Sequence, residues 1–223
     1  MNTLIHYLEQ YALLSLEKQD KLAFLLGDHT YDLDLEAGKI RFNDDREFPF
    51  QVLGTESDNT LTWLWAWAEE QTEVVPENLF QAAQQLRDWG HHVGVPEFTS
   101  PAVDLDRADG RVLSMIAVEL CRASCFYRDA YEGGAAFVLL FDKKIDAQPS
   151  FDLARLARHY LDVISQYPLD HRNTLLSYLR AKGLSPVETA WTVLCDLESG
   201  ESLNAVFDNA GHLQQLNGDE IKV

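Results

Sequence analysis

The sequence predicts an α+β fold, with antiparallel strands gathered into sheets and helices packed on one face. Three observations predict it. Apolar residues recur first at three- and four-residue spacing and then, from residue 30, at a spacing of two, and the two patterns fall in separate blocks instead of alternating along the chain. The alternating segments are joined by short turns rich in Gly, Asn and Asp, which is hairpin chemistry. Three of the five tryptophans fall at Trp63, Trp65 and Trp67. A strand gathers these on one face, whereas a helix scatters them around its axis.

The elements follow in order. Residues 2–25 read as an amphipathic helix, with Leu4, Ile5, Leu8, Tyr11, Ala12, Ser15 and Leu16 on one stripe. Asn2 or Thr3 caps it and Gly27 ends it. A four-strand meander comes next. Thr30–Leu35 and Lys39–Phe42 alternate around a turn at Gly38, and Glu47–Gly54 carries Pro49, the mark of an edge or a bulge. The fourth strand is Thr60–Ala68, with indoles on one face and Leu64, Ala66 and Ala68 on the other, a small apolar surface that suits a covering helix. Being apolar on both faces, it belongs inside its sheet. Helices are expected over Pro76–His92 and Asp104–Cys125, and strands over Phe126–Tyr131 and Ala135–Phe141. Lys143–Ser150 is polar and carries Pro149, so it reads as a linker. Beyond it come two helices, Phe151–Tyr167 and His171–Lys182, then three strands, Val187–Leu197, Glu201–Phe207 and His212–Leu216. The domain division is 1–145 for the α+β domain with the tryptophan strand and 146–223 for the helix-helix-meander segment, packed separately or as part of the same domain.

Composition narrows the function. Eighteen basic residues against 36 acidic ones give a net charge of −18. Phosphate backbones and anionic lipid repel such a surface, so nucleic-acid and membrane partners are disfavoured and a basic protein partner is favoured. Cys121, Cys125 and Cys195 form no paired metal motif and read as buried, reduced thiols of a cytoplasmic protein. The first residues lack the basic segment and cleavage site of a signal peptide, and no apolar run is long enough to span a bilayer.

The residues Gln51-Val52-Leu53-Gly54-Thr55, followed by Thr62-Trp63-Leu64-Trp65-Ala66-Trp67-Ala68, resemble a bacterial domain family of unknown activity with a Leu-Gly…Trp-Leu-Trp-Ala-Trp-Ala-Asn signature. The likeness extends over roughly residues 25–142 and takes in Phe126-Tyr127-Arg128 and Phe137-Val138. Glu69 stands where the signature has Asn. The resemblance implies the architecture and carries no activity, cofactor or site with it.

Candidate chemistry is sparse. There is no G-x-S-x-G elbow, no P-loop, no G-x-G-x-x-G and no His pair at zincin spacing, so no catalytic residue, metal or cofactor is assigned. Asp104-Leu105-Asp106-Arg107-Ala108-Asp109-Gly110 has its glycine one place late for a calcium loop and Met115 where the glutamate belongs, so it reads as helix-capping acid. Two surfaces remain. Trp63, Trp65 and Trp67 either pack under a helix, each N–H on a carbonyl, or floor a pocket with Glu69 and Tyr127 at its rim. Tyr127, Asp129 and Tyr131 share one face of their strand, with Arg128 opposite. The expectation is a non-catalytic protein-binding or immunity-like accessory factor. The alternative is a small-molecule-binding protein or hydrolase built on the indole pocket. A purely structural module is a third reading.

Overall fold

A computed structural model of the chain describes residues 3–43, 45–68, 75–217 and 219–220. The class is α+β: among the described residues there are six helices and two antiparallel sheets. The chain forms two compact units, Met1–Leu4 with Lys18–Gln148, and Ile5–Glu17 with Pro149–Val223. Helix α1, Leu4–Leu26, is thus divided between them.

The first unit is built on a seven-stranded sheet. β1 (Tyr31–Asp34), β2 (Lys39–Phe42), β3 (Arg46–Ser57) and β4 (Thr62–Trp65) form the expected antiparallel meander. β5 (Ala102–Asp104) pairs with β4, so the tryptophan strand is interior. β6 (Cys125–Tyr131) pairs with β7 (Gly134–Leu140), and β7 returns to β3. β3 is the hub. Its first half holds β2, and its second half holds both β4 and β7.

The register of β3 against β7 slips between Val52 and Gly54, which makes Leu53 an inserted residue with its side chain fully buried. Gly54 follows because nothing larger fits. A Cβ there would lie 2.4 Å from Trp63 Cζ2 and 2.5 Å from the Leu64 carbonyl oxygen. The Leu-Gly and Trp-Leu-Trp halves of the signature therefore meet in space, with the Trp63 indole lying over the glycine.

Helices α2 (Gln81–Val93) and α3 (Gly110–Leu120) pack on this sheet. Helix formation starts later than the periodicity suggests at both places. Pro76 precedes a 3-10 turn, Glu77–Leu79, and α2 begins only at Gln81. Asp104 belongs to β5, and Asp109 caps α3 by accepting from the Val112 N–H at 2.7 Å. The sequence offers either face of β4 to a covering helix, and the structure decides between them. It is the indole face that α3 meets, because Gly110 sits against Trp63 and Phe137, while Leu64 stays half-exposed. Eight of the eleven residues of α3 are buried, so it is an internal helix. The polar stretch expected as a linker contains a helical turn, α4 (Lys143–Asp146), whose Ile145 is fully buried.

The second unit holds α5 (Leu153–Gln166), capped by Asp152, and α6 (His171–Ala181), capped by Asp170. Its sheet has five strands, β8 (Val187–Glu188), β9 (Thr192–Asp196), β10 (Ser202–Phe207), β11 (Leu213–Leu216) and β12 (Asp219–Glu220), in sequential order. The expected strand Val187–Leu197 is broken because Thr189 turns the chain. Its N–H reaches the Thr192 carbonyl and its hydroxyl accepts from the N–H groups of Trp191 and Thr192. Residues 5–17 of α1 belong to this unit through Glu17, which takes hydrogen bonds from Tyr178 Oη (2.5 Å) and Lys182 Nζ (2.9 Å). No helix among the described residues is long and apolar enough to cross a membrane.

Candidate functional site

The structure separates the residues that the sequence grouped. Trp63 and Trp65 are 0% exposed. Their rings meet edge to face at 5.3 Å, and Trp63 meets Phe137 at 5.4 Å. β4 ends at Trp65, where the Ala68 N–H turns back to the Trp65 carbonyl. Trp67 consequently leaves the strand and stacks on Trp65 at 6.4 Å and 13°, with the Arg87 guanidinium 5.1 Å from its ring. Only one of the three indole N–H groups finds a partner among the described residues: Trp65 Nε1 donates to the Glu97 carbonyl at 2.9 Å, while those of Trp63 and Trp67 are buried without one. Glu69 lies outside the described residues. Tyr127 is not brought to the indoles at all; its ring neighbours are His29, Tyr31 and Phe42.

Two clefts, of about 140 and 330 Å³, meet at Asp104 and Arg107, and neither has an indole in its wall. Arg107 is committed there to the buried Glu97 carboxylate at 2.7 Å.

What gathers around Tyr127 is a polar aromatic strip. Alternation along β6 puts Tyr127, Asp129 and Tyr131 on one face. β1 adds Tyr31, whose hydroxyl donates to Asp129 Oδ1 at 2.6 Å and whose ring meets that of Tyr127 at 4.9 Å. Phe42, fully buried, supports Tyr127 from beneath at 5.0 Å. His29 donates from Nδ1 to the Gly27 carbonyl at 2.8 Å, and its Nε2 shares a hydrogen bond with the Tyr127 hydroxyl at 3.2 Å. Tyr131 donates to the Glu56 carbonyl at 3.4 Å. Tyr31 and Tyr131 remain 38% and 50% exposed, which leaves two large aromatic rings open to solvent near Asp129.

The electrostatics of the strip are those of an acceptor surface. The hydrogen bond to Asp129 raises the Tyr31 hydroxyl to about 12. Burial, then the Asp129 charge, raises Tyr127; burial and the charges of Asp129, Asp58 and Glu56 raise Tyr131. All three phenols are therefore neutral at physiological pH, and carboxylates crowd them. Glu56 accepts from the Gly110 N–H at 2.6 Å at the start of α3, and burial raises its pKa. Thiol chemistry is suppressed as well. Burial pushes Cys121 up to about 12 and raises Cys125 and Cys195, the opposite of an activated nucleophile.

His29, Tyr31 and Glu56 were not among the sequence candidates. Tyr31 carries a local signal, the alternation Tyr31-Asp32-Leu33-Asp34, but its meeting with Asp129 joins residues 98 positions apart and has no local trace.

No curated protein and no solved structure matches the chain. The profile of one family matches residues 5–143, which is more than half of the chain and spans both the Leu-Gly and the Trp-Leu-Trp segments. The chain belongs to that family, a family of unknown function (DUF6882).

Proposed function

We propose that the chain is a non-catalytic protein-binding factor of the immunity or accessory kind, working in the cytoplasm, which holds a basic partner on the strip formed by Tyr31, Tyr127, Asp129 and Tyr131. The observation that carries this reading is a carboxylate, Asp129, set among tyrosines of β1 and β6, two of them well exposed. A Lys or Arg side chain placed there meets a negative charge and aromatic faces together. Each exposed cation–π contact is worth about 0.5–1 kcal/mol and an exposed ion pair about 0.2–1 kcal/mol, so several are needed for useful affinity. The −18 net charge supports the same reading, since it steers a basic partner toward the surface and speeds the encounter.

The test is calorimetric titration of a lysine-rich peptide into the wild-type chain, Asp129→Lys, and the charge-matched control Asp88→Lys, whose carboxylate is exposed on α2. Loss of about tenfold in affinity, some 1.4 kcal/mol, at Asp129→Lys and much less at Asp88→Lys is the expected result. Equal losses at the two positions would show that net charge alone governs binding and would end the assignment of this strip.

A further inference from the structure

β6 has a strand neighbour on one side only among the described residues. Hydrogen-bond parity fixes which of its backbone groups point away from that neighbour. Phe141 N–H donates to the Pro49 carbonyl and Asp58 N–H to the Gly133 carbonyl. Odd-numbered residues of β7 therefore bond β3, and even-numbered ones bond β6. The latter oppose Cys125, Tyr127, Asp129 and Tyr131. The backbone N–H and C=O of Phe126, Arg128 and Ala130 consequently face outward. Gln19 Nε2 takes the Phe126 carbonyl at 3.0 Å. Arg128 and Ala130 are exposed, and their outward groups form a short, unpaired run of two donors and two acceptors. Neither a proline nor a bulge blunts this run, although both are usual protections of an edge.

Resting on the binding reading above, we infer that the partner presents an extended segment that adds to β6 as a further strand, with basic residues at alternate positions. The charges select this occupant. Side chains on one face of a strand recur about every 6.6–6.8 Å, so a basic residue at every second position falls in step with Tyr127, Asp129 and Tyr131 and their flanking carboxylates. On the opposite face stands Arg128, its guanidinium 5.9 Å from the Phe137 ring. A cation placed there would be repelled, so the intervening positions are uncharged. This recognition is by main-chain pairing for affinity and alternate side chains for register.

The experiment uses the full chain and three synthetic seven-residue peptides: one alternating Lys and Thr, one of the same composition in blocks, and the alternating one with its β6-facing amides N-methylated. Affinity is read by fluorescence anisotropy and the pairing by amide hydrogen exchange. The alternating peptide is expected to bind about tenfold tighter than either of the others and to slow exchange at the Arg128 and Ala130 amides. Ala130→Pro, which removes an outward N–H and none of the β6–β7 bonds, is expected to reproduce the effect of N-methylation. If all three peptides bind alike and Asp129→Lys still weakens them, strand addition is wrong and the binding strip stands. If Asp129→Lys changes nothing, the strip itself falls and the strand with it.

Discussion

Gly110→Ala tests the packing of the indole core by the sign of its effect. Gly110 is the first residue of α3, its φ is not positive, and alanine is the better helix former by up to about 1 kcal/mol. On local grounds the substitution should stabilise. The surroundings say otherwise: a Cβ at this position would lie 2.6 Å from Trp63 Cζ3 and 2.6 Å from Phe137 Cε2. Both rings are buried, and Trp63 is already held closely against Gly54 as well. Overpacking of this kind costs about 1–3 kcal/mol, which exceeds the helical gain at most of its range. Urea unfolding followed by tryptophan fluorescence reads the result, because Trp63, Trp65, Trp67 and Trp89 all lie in the same unit as Gly110. Overpacking in the upper half of that range, about 2–3 kcal/mol less a helical gain of about 1, leaves a net loss of about 1–2 kcal/mol, so with an m-value of about 2 kcal/mol/M the midpoint should fall by roughly 0.5–1 M. Gly94→Ala supplies the scale of a purely conformational cost, since Gly94 has φ +76° and open space around it; about 1 kcal/mol is expected. A Gly110→Ala chain as stable as wild type, or more stable, would refute the close packing of Trp63 between two glycines.

The remaining predictions concern the second unit and the strip. Replacing Glu17 by Leu leaves Lys182 and Tyr178 without their shared acceptor; a loss of about 2–3 kcal/mol is expected in thermal unfolding, less than for a fully buried pair because Lys182 still touches water. His171 accepts the Leu213 N–H at Nδ1 (3.0 Å), which a protonated ring cannot do. Burial and the neighbouring His212 ring hold its pKa below the ordinary 6.5, against the opposing charges of Asp170 and Asp208. The unfolded chain therefore takes up the proton first. Stability should be flat above about pH 6.5 and fall from there toward the folded pKa, a slope that pH-dependent unfolding should show and that His171→Asn should remove. Tyr31→Phe deletes the hydrogen bond to Asp129 in a partly exposed site, so it should cost under about 1 kcal/mol of stability in urea unfolding.

The class and the meander were legible because both rest on local periodicity. Tyr31–Asp34 and Lys39–Phe42 alternate strictly, and Gly38, at φ +65°, supplies the turn between them. The helix starts were less legible. Asp104, Asp106 and Asp109 are all plausible caps by residue type, and the side-chain bond that makes Asp109 the cap is a tertiary outcome. Which face of β4 a helix covers is not legible in the sequence for a similar reason. Ala66 and Ala68 look like the smooth face for a helix, yet α3 approaches on the indole side, where glycines 9 residues before and 47 residues after Trp63, Gly54 and Gly110, each lie against its ring. The strip was half-legible. Tyr127, Asp129 and Tyr131 share a face by alternation alone, but the bonds that join them to Tyr31 and Glu56 link residues 98 and 75 positions apart and leave no local trace.

Hydrogen-exchange footprinting of the full chain with and without the alternating lysine–threonine peptide decides most directly where partners dock. The account predicts slowed exchange over residues 125–131 and 30–34, with residues 62–68 unchanged. Protection confined to residues 62–68 would place binding at the indoles and contradict it.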